Sequence, residues 1–244
     1  MIKKYQISLS EVNEFLRINS WEIKDNVNSR YKENKKAIMK HLVSIFDSYK
    51  EGEVIDGQRI SQTFFPTKFK EQFKVFISHS GSDKDIVEKL AMTLEAYGID
   101  CFVDWMVWGN LNKLQQIIDD KLCHPIKKPN GGKSYDYESR NHTTAHTHAM
   151  LSMALLDMID QCDICLFITS KNSTIPNANF GDVKTLSPWI YEEVSYMNHI
   201  AIRRVNMFAE GGISGITISH PLDLREFKEL NSKNLIESIK QLNG

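Results

Sequence analysis

Residues 73–105, FKVFISHSGSDKDIVEKLAMTLEAYGIDCFVDW, restrict the fold more than any other stretch of the chain. Lys74-Val75-Phe76-Ile77-Ser78 is short, apolar and rich in β-formers, the pattern of a strand buried on both faces of a sheet. A polar loop, His79-Ser80-Gly81-Ser82, ends it. Ser82 is a candidate cap for a helix beginning near Asp83, with Asp83 and Asp85 at the positive end of the helix dipole. Ile86, Val87, Leu90, Ala91, Leu94 and Tyr97 recur at helical spacing, and Gly98 stands where a left-handed cap would end the helix. Asp100-Cys101-Phe102-Val103 then leads into Asp104-Trp105. Two buried strands joined by one amphipathic helix form a parallel βαβ unit with a right-handed crossover. Ligands of such sheets bind beyond the carboxyl ends of the strands, so Ser78 to Ser82 and Asp104 to Trp105 should border one crevice.

Residues 1–70 read as a helical extension. Ser8-Leu9-Ser10-Glu11 has the form of a capping box, with Val12, Phe15 and Leu16 on one face of a short helix. Ile38, Leu42, Ile45, Phe46 and Tyr49 mark a longer helix, whose lysines most simply make a solvated face. Residues 71–244 form the main domain, interrupted by a long insert at about 106–142, and a loop of that length tends to be functional. Inside the insert, Leu111, Leu114, Ile117, Ile118 and Leu122 suggest a helix, and Pro129-Asn130-Gly131-Gly132 a turn. The mixed segment 135–142, YDYESRNH, suits either the lining of a polar pocket or a lid that satisfies its own hydrogen bonds. His142 and His146 would share a helix face. His148 would stand about 160° from His146 around the axis, so a metal site is not expected.

Cys162-Asp163-Ile164-Cys165-Leu166-Phe167-Ile168-Thr169 is the next strand, ending at a polar loop that opens with Ser170. Ser187 and Pro188 are a helix-start pair for Trp189-Ile190-Tyr191-Glu192-Glu193, in which Trp189 and Glu193 share a face. Residues 199–205 and 213–218 read as fourth and fifth strands, and Leu235, Ile236, Ile239 and Leu242 as a closing helix.

The formal net charge of −1 gives no case for a nucleic-acid partner. No run is long and apolar enough to span a bilayer and no leader precedes the first helix, which points to the cytoplasm. Four cysteines, of which Cys101, Cys162 and Cys165 fall in apolar strands, do not make a disulfide framework.

V-F-I-S-H-S-x-S-D-K-D followed by V-D-W resembles the opening of bacterial Toll/interleukin receptor (TIR) domains. S-P-W-x-x-x-E resembles the segment that carries the catalytic glutamate in TIR enzymes that cleave NAD, and the match falls on Glu193. The resemblance implies an α/β, flavodoxin-like TIR fold, a parallel sheet of about five strands with helices on both faces. It implies NAD+ as substrate, with no resident cofactor. The nicotinamide leaving group already carries positive charge, so one carboxylate suffices where glycosidases need two. Glu193 would orient the ribose and stabilise the developing charge. Ser78, His79, Ser80, Asp104, Trp105, Ser170 and Trp189 would line the nucleotide site, with His79 and Ser80 near phosphate or ribose and either Trp105 or an aromatic of the insert stacked on a base. Self-association through TIR–TIR contacts is the expected protein partnership. Because no effector segment is visible, an ADP-ribose-derived signal for a separate effector is expected, as in the Thoeris-type antiphage systems that these motifs resemble. A non-catalytic TIR scaffold is the competing reading, and a nucleoside-processing hydrolase on a similar sheet a third.

Overall fold

A computed structural model of the chain describes residues 2–19, 40, 44, 73–103, 111–123, 125–129, 131–176, 183–202 and 220–240. Its main sheet has five strands, all parallel, in the order β10-β1-β6-β2-β3. These are β1 (Lys3–Ser8), β2 (Val75–Ser78), β3 (Cys101–Phe102), β6 (Ile164–Thr169) and β10 (Lys228–Leu230). The flavodoxin-like order is 2-1-3-4-5. Counted from β2, the strands β3, β2 and β6 take its first three places. The place beside β6 falls to β1, from the N-terminus.

That placement corrects the reading of residues 1–70 as a helical extension. Lys3–Ser8 is a full strand of the sheet, paired with β6 over six residues and with β10 over three. The expected helix does follow it, α1 (Leu9–Ile18), with Val12 and Phe15 buried. The Ser8 hydroxyl accepts from the Glu11 N–H at 3.2 Å, but the Glu11 carboxylate accepts from the Ser232 N–H at 2.8 Å, so half of the capping box is used for a tertiary contact. The helix read from Ile38 to Tyr49 lies outside the described residues, apart from the helical positions Lys40 and Ser44.

The βαβ unit forms as its pattern predicts. A short 3-10 turn, Gly81–Asp83, precedes helix α2 (Lys84–Ala96), and Ser80 rather than Ser82 supplies the capping oxygen, to the Ser82 N–H. Gly98 (φ +76°) closes α2: its N–H donates to Glu95 and that of Ile99 to Leu94, a Schellman pair that requires the left-handed residue. Phe102 of β3 stacks on Phe76 of β2 at 5.6 Å between ring centroids.

Register puts Lys4, Cys165, Phe76 and Phe102 in one row, with Gln6, Phe167 and Ser78 in the next row of the same face. Helix α5 (Pro188–Ile202) covers this face: Glu193 meets Ser78, and Asn198 accepts from the buried Lys4 ammonium at 3.1 Å. The other face carries Tyr5, Ile7, Val75, Ile77, Ile164, Leu166 and Ile168, all buried, so both faces are covered. The segment 199–202, expected to open a fourth strand, instead continues α5. Its β-branched isoleucines carry β-propensity, but in-register continuation of a packed helix overrides it. The expected fifth strand, 213–218, lies outside the described residues. A small antiparallel sheet joins β7 (Ile175–Pro176), β8 (Val183–Thr185) and β9 (His220–Leu222), and α6 (Leu235–Lys240) closes the described chain.

Backbone packing divides the chain into two compact units, residues 1–28, 70–103 and 155–244 in one and residues 29–69 and 104–154 in the other. The second contains α3 (Leu111–Leu122), a hairpin of β4 (Ile126–Lys127) and β5 (Lys133–Ser134), and the start of α4 (Tyr137–Gln161). The insert therefore gives way to helix at Tyr137, earlier than the periodicity suggests, because Asp136 caps it by accepting from Ser139 N–H at 2.8 Å. Among the described residues, no helix is long and apolar enough to cross a membrane.

Candidate active site at the carboxyl edge of the sheet

β3 lies on one side of β2 and β6 on the other, so the strand order reverses at β2. The crevice of such a sheet lies at this switch, outside the carboxyl ends of the strands. Ser78 ends β2 and Thr169 ends β6. Two further groups are brought here from elsewhere in the chain.

The first is Glu193. Ser187 starts α5 by accepting from the Ile190 N–H at 3.2 Å, and Pro188 takes the first helical position, where no N–H is needed. Ile190, Glu193, Val194 and Met197 then fall on one buried stripe. A carboxylate stands in a row that packing alone would fill with an apolar residue. Glu193 is 5% exposed, and the fully buried Ser78 hydroxyl donates to its Oε2. The neighbouring Glu192 turns away and accepts from the Tyr196 hydroxyl at 2.8 Å. Trp189, one turn before Glu193, is half-buried.

The second is Asp83. Sequence reasoning read it as a first-turn acid at the helix dipole, and Asp85, which is exposed, fits that description. Asp83 is instead buried and bound: Oδ2 accepts from the Ser170 hydroxyl and Oδ1 from the Asn172 side-chain amide, each at 2.6 Å. Ser170 is engaged on every side. Its hydroxyl also accepts from the N–H groups of Asn172 and Ser173 at 3.0 and 3.1 Å, and its own N–H donates to the buried Ser173 hydroxyl at 2.8 Å. The only sequence signal for this link was a polar residue cluster at each of two strand ends.

Ser80 is half-buried and serves the 3-10 turn. The His79 ring is buried, and its Nε2 has no hydrogen-bond partner among the described residues. Asp104 and Trp105 lie outside the described residues. Ser78 and Glu193 are thus joined directly, Ser170 joins the site through Asp83, and His79 and Ser80 follow Ser78 in the chain. A recess of about 120 Å³ lined by Lys74, Tyr97, Gly98, Ile99, Asp163, Ile164, Ile239 and Lys240 lies at the amino ends of β2 and β6, the edge opposite Ser78. It is not this crevice.

The insert residues close on themselves. Asp119, buried, accepts from Gln115 and Thr143 at 2.7 Å each and faces Arg140 at 3.4 Å; Asp120 accepts from Lys133 and the Tyr135 hydroxyl at 2.6 Å each. His142 and His146 do share a face, their rings stacked at 5.2 Å, and both are exposed. No three metal-ligating side chains converge among the described residues. All four cysteines are free and buried. Burial pushes the Cys162 thiol up to about 12 and those of Cys101 and Cys165 well above the usual range, so these three stay protonated and unreactive at neutral pH.

A TIR domain is detected at residues 75–125, from the start of β2 through α3. No curated protein and no solved structure gives a significant match to the chain. The fold is the flavodoxin-like one of that family, with its sheet completed by an N-terminal strand.

Proposed function

We propose that this chain is a TIR-domain NAD+ nucleosidase in which Glu193 is the catalytic carboxylate. The observation that supports this most is Glu193 itself: an acid in the apolar stripe of α5, held by a buried serine at the switch point. Burying a carboxylate costs free energy that an apolar residue there would not, and the cost is accounted for if the charge is used. The C1′–N bond between ribose and nicotinamide breaks with its electron pair leaving on the neutral nicotinamide. Positive charge develops on the ribose, and the fixed negative charge of Glu193 stabilises it. Water then adds at C1′ and releases a proton, or a hydroxyl or ring nitrogen adds to give a cyclic or conjugated product.

The reading extends to an ADP-ribose-derived signal for a separate effector in antiphage defence, with activity raised by self-association. One observation favours the competing scaffold reading: at 5% exposure, Glu193 is little open to a ligand. The experiment is incubation of the protein with NAD+ and measurement of free nicotinamide and of the product mass, beside Glu193→Gln. Nicotinamide release lost in the variant is the expected result. No release at any protein concentration, crowded conditions included, overturns the enzyme reading, and release by the variant overturns the role of Glu193.

A further inference from the structure

The mechanism above makes no use of Asp83, yet Asp83 is a buried and doubly bound carboxylate at the carboxyl edge. It is 3% exposed, and both carboxylate oxygens are engaged by the loop that follows β6, reaching 87 and 89 residues along the chain. Asp83 itself stands five residues beyond Ser78, in the turn that follows β2. The two hydrogen bonds therefore tie together the two loops that flank the reversal of strand order, where a ligand of this sheet sits. Among the described residues, both donors to Asp83 are neutral, a hydroxyl and an amide, so the link orients the loops without an ion pair. The β6 loop is further stiffened from within, the Ser173 hydroxyl donating to Ile168 O at 3.0 Å.

Loops that must be ordered on binding weaken affinity by the cost of ordering them, and loops ordered beforehand do not. We infer that Asp83 is a positioning residue of the nucleotide crevice: its clamp on Ser170 and Asn172 presets the spacing of the β2 and β6 loops, and so governs affinity for NAD+ rather than the rate of bond cleavage. This deepens the NAD+ reading and rests on it. It also gives Ser170 its role, which is to shape the wall through Asp83.

The geometry supplies a swap test. In Asp83→Asn, the new NH2 must face either the Asn172 amide, donor against donor, or the Ser170 hydroxyl, which already accepts from two N–H groups. In Asn172→Asp, two carboxylates face each other. The double variant restores a donor opposite an acceptor. In the full chain, each single substitution raises KM for NAD+ about tenfold with kcat held within about twofold, and the double variant returns KM to within about threefold of the wild type. Amide hydrogen exchange at residues 170–174 speeds up in both single variants and recovers in the double. Unchanged KM in the singles, a fall in kcat at constant KM, or a double variant no better than the singles overturns the proposal. If the wild type releases no nicotinamide, the same series is read as the Kd for NAD+ by calorimetry: the same pattern supports the clamp while the catalytic reading falls, and absence of NAD+ binding overturns both.

Discussion

Two groups of carboxylates, each within its own compact unit, are held in opposite ways. At the carboxyl edge of the main sheet, Asp83 takes a hydroxyl and an amide, and Glu193 takes the hydroxyl of Ser78 beside its other contacts. In the insert, Asp119 faces Arg140 and Asp120 faces Lys133. A cation neutralises the acid it holds, whereas a hydroxyl or amide orients it and leaves its charge in place. Lys133 first, and then the Tyr135 hydroxyl, hold Asp120 below the usual carboxylate range. On the proposed function, the difference separates Glu193, set to act on a developing positive charge, and Asp83, which orients two loops, from carboxylates that pin a hairpin to a helix. Counting acids along the sequence would not separate them.

Several substitutions put pressure on that contrast. Glu193→Gln keeps the shape and removes the charge, and it should lower nicotinamide release about a thousandfold while the melting temperature stays near the wild type. Retained activity with intact folding would erase the distinction. Asp119→Ala should do the reverse, destabilising the protein by about 1–3 kcal/mol in urea titration because Gln115 and Thr143 lose their acceptor, with KM and kcat for NAD+ unchanged.

The hairpin contact also sets a pH dependence. Hydrogen bonding to Asp120, then desolvation, pushes Tyr135 up to about 12 from its ordinary 10.0. A folded pKa above the unfolded one stabilises the fold in full below pH 10 and loses that stabilisation as pH rises toward about 12. A denaturation series across that window should show a decline that Tyr135→Phe removes, and an identical decline in the variant would assign it elsewhere. The smallest effect is expected of Lys133→Ala. Its ion pair with Asp120 is partly exposed, 39% and 29% on the two sides. Such a pair contributes less than about 1 kcal/mol and is screened by salt, so a larger loss that persisted in high salt would mean the insert depends on it structurally.

Much of the fold was legible because it is written locally. The run from Val75 to Phe102 needs only β-formers, a helical stripe and one left-handed glycine, and α5 announces itself through Ser187 and Pro188. Tyr135 and Arg140 could be seen as polar but not as partners of Asp120 and Asp119, since a side chain's target is not in its own neighbourhood. β1 was hidden for a related reason. Lys-Lys-Tyr-Gln-Ile-Ser looks like a solvated lead-in, and Lys4 is tolerated inside only because Glu226 and Asn198 receive its ammonium. At the end of α5 the error ran the other way, with β-branched residues suggesting a strand that the packed helix overruled.

The site divides along the same line. Helix phase puts Glu193 on the face of Trp189, but only the resemblance of S-P-W-x-x-x-E to a TIR-enzyme segment singled it out, and nothing local showed that this face is buried. What the sequence by itself determined is therefore the βαβ unit and the start of α5: periodicity and capping act within a few residues. That a strand from the first eight residues completes the sheet was decided only by tertiary structure. So were the burial of Glu193 against Ser78 and the tie from Asp83 to Ser170 and Asn172. Each is a pairing between groups far apart in the chain, whose free energy exists only once the strands have brought them together.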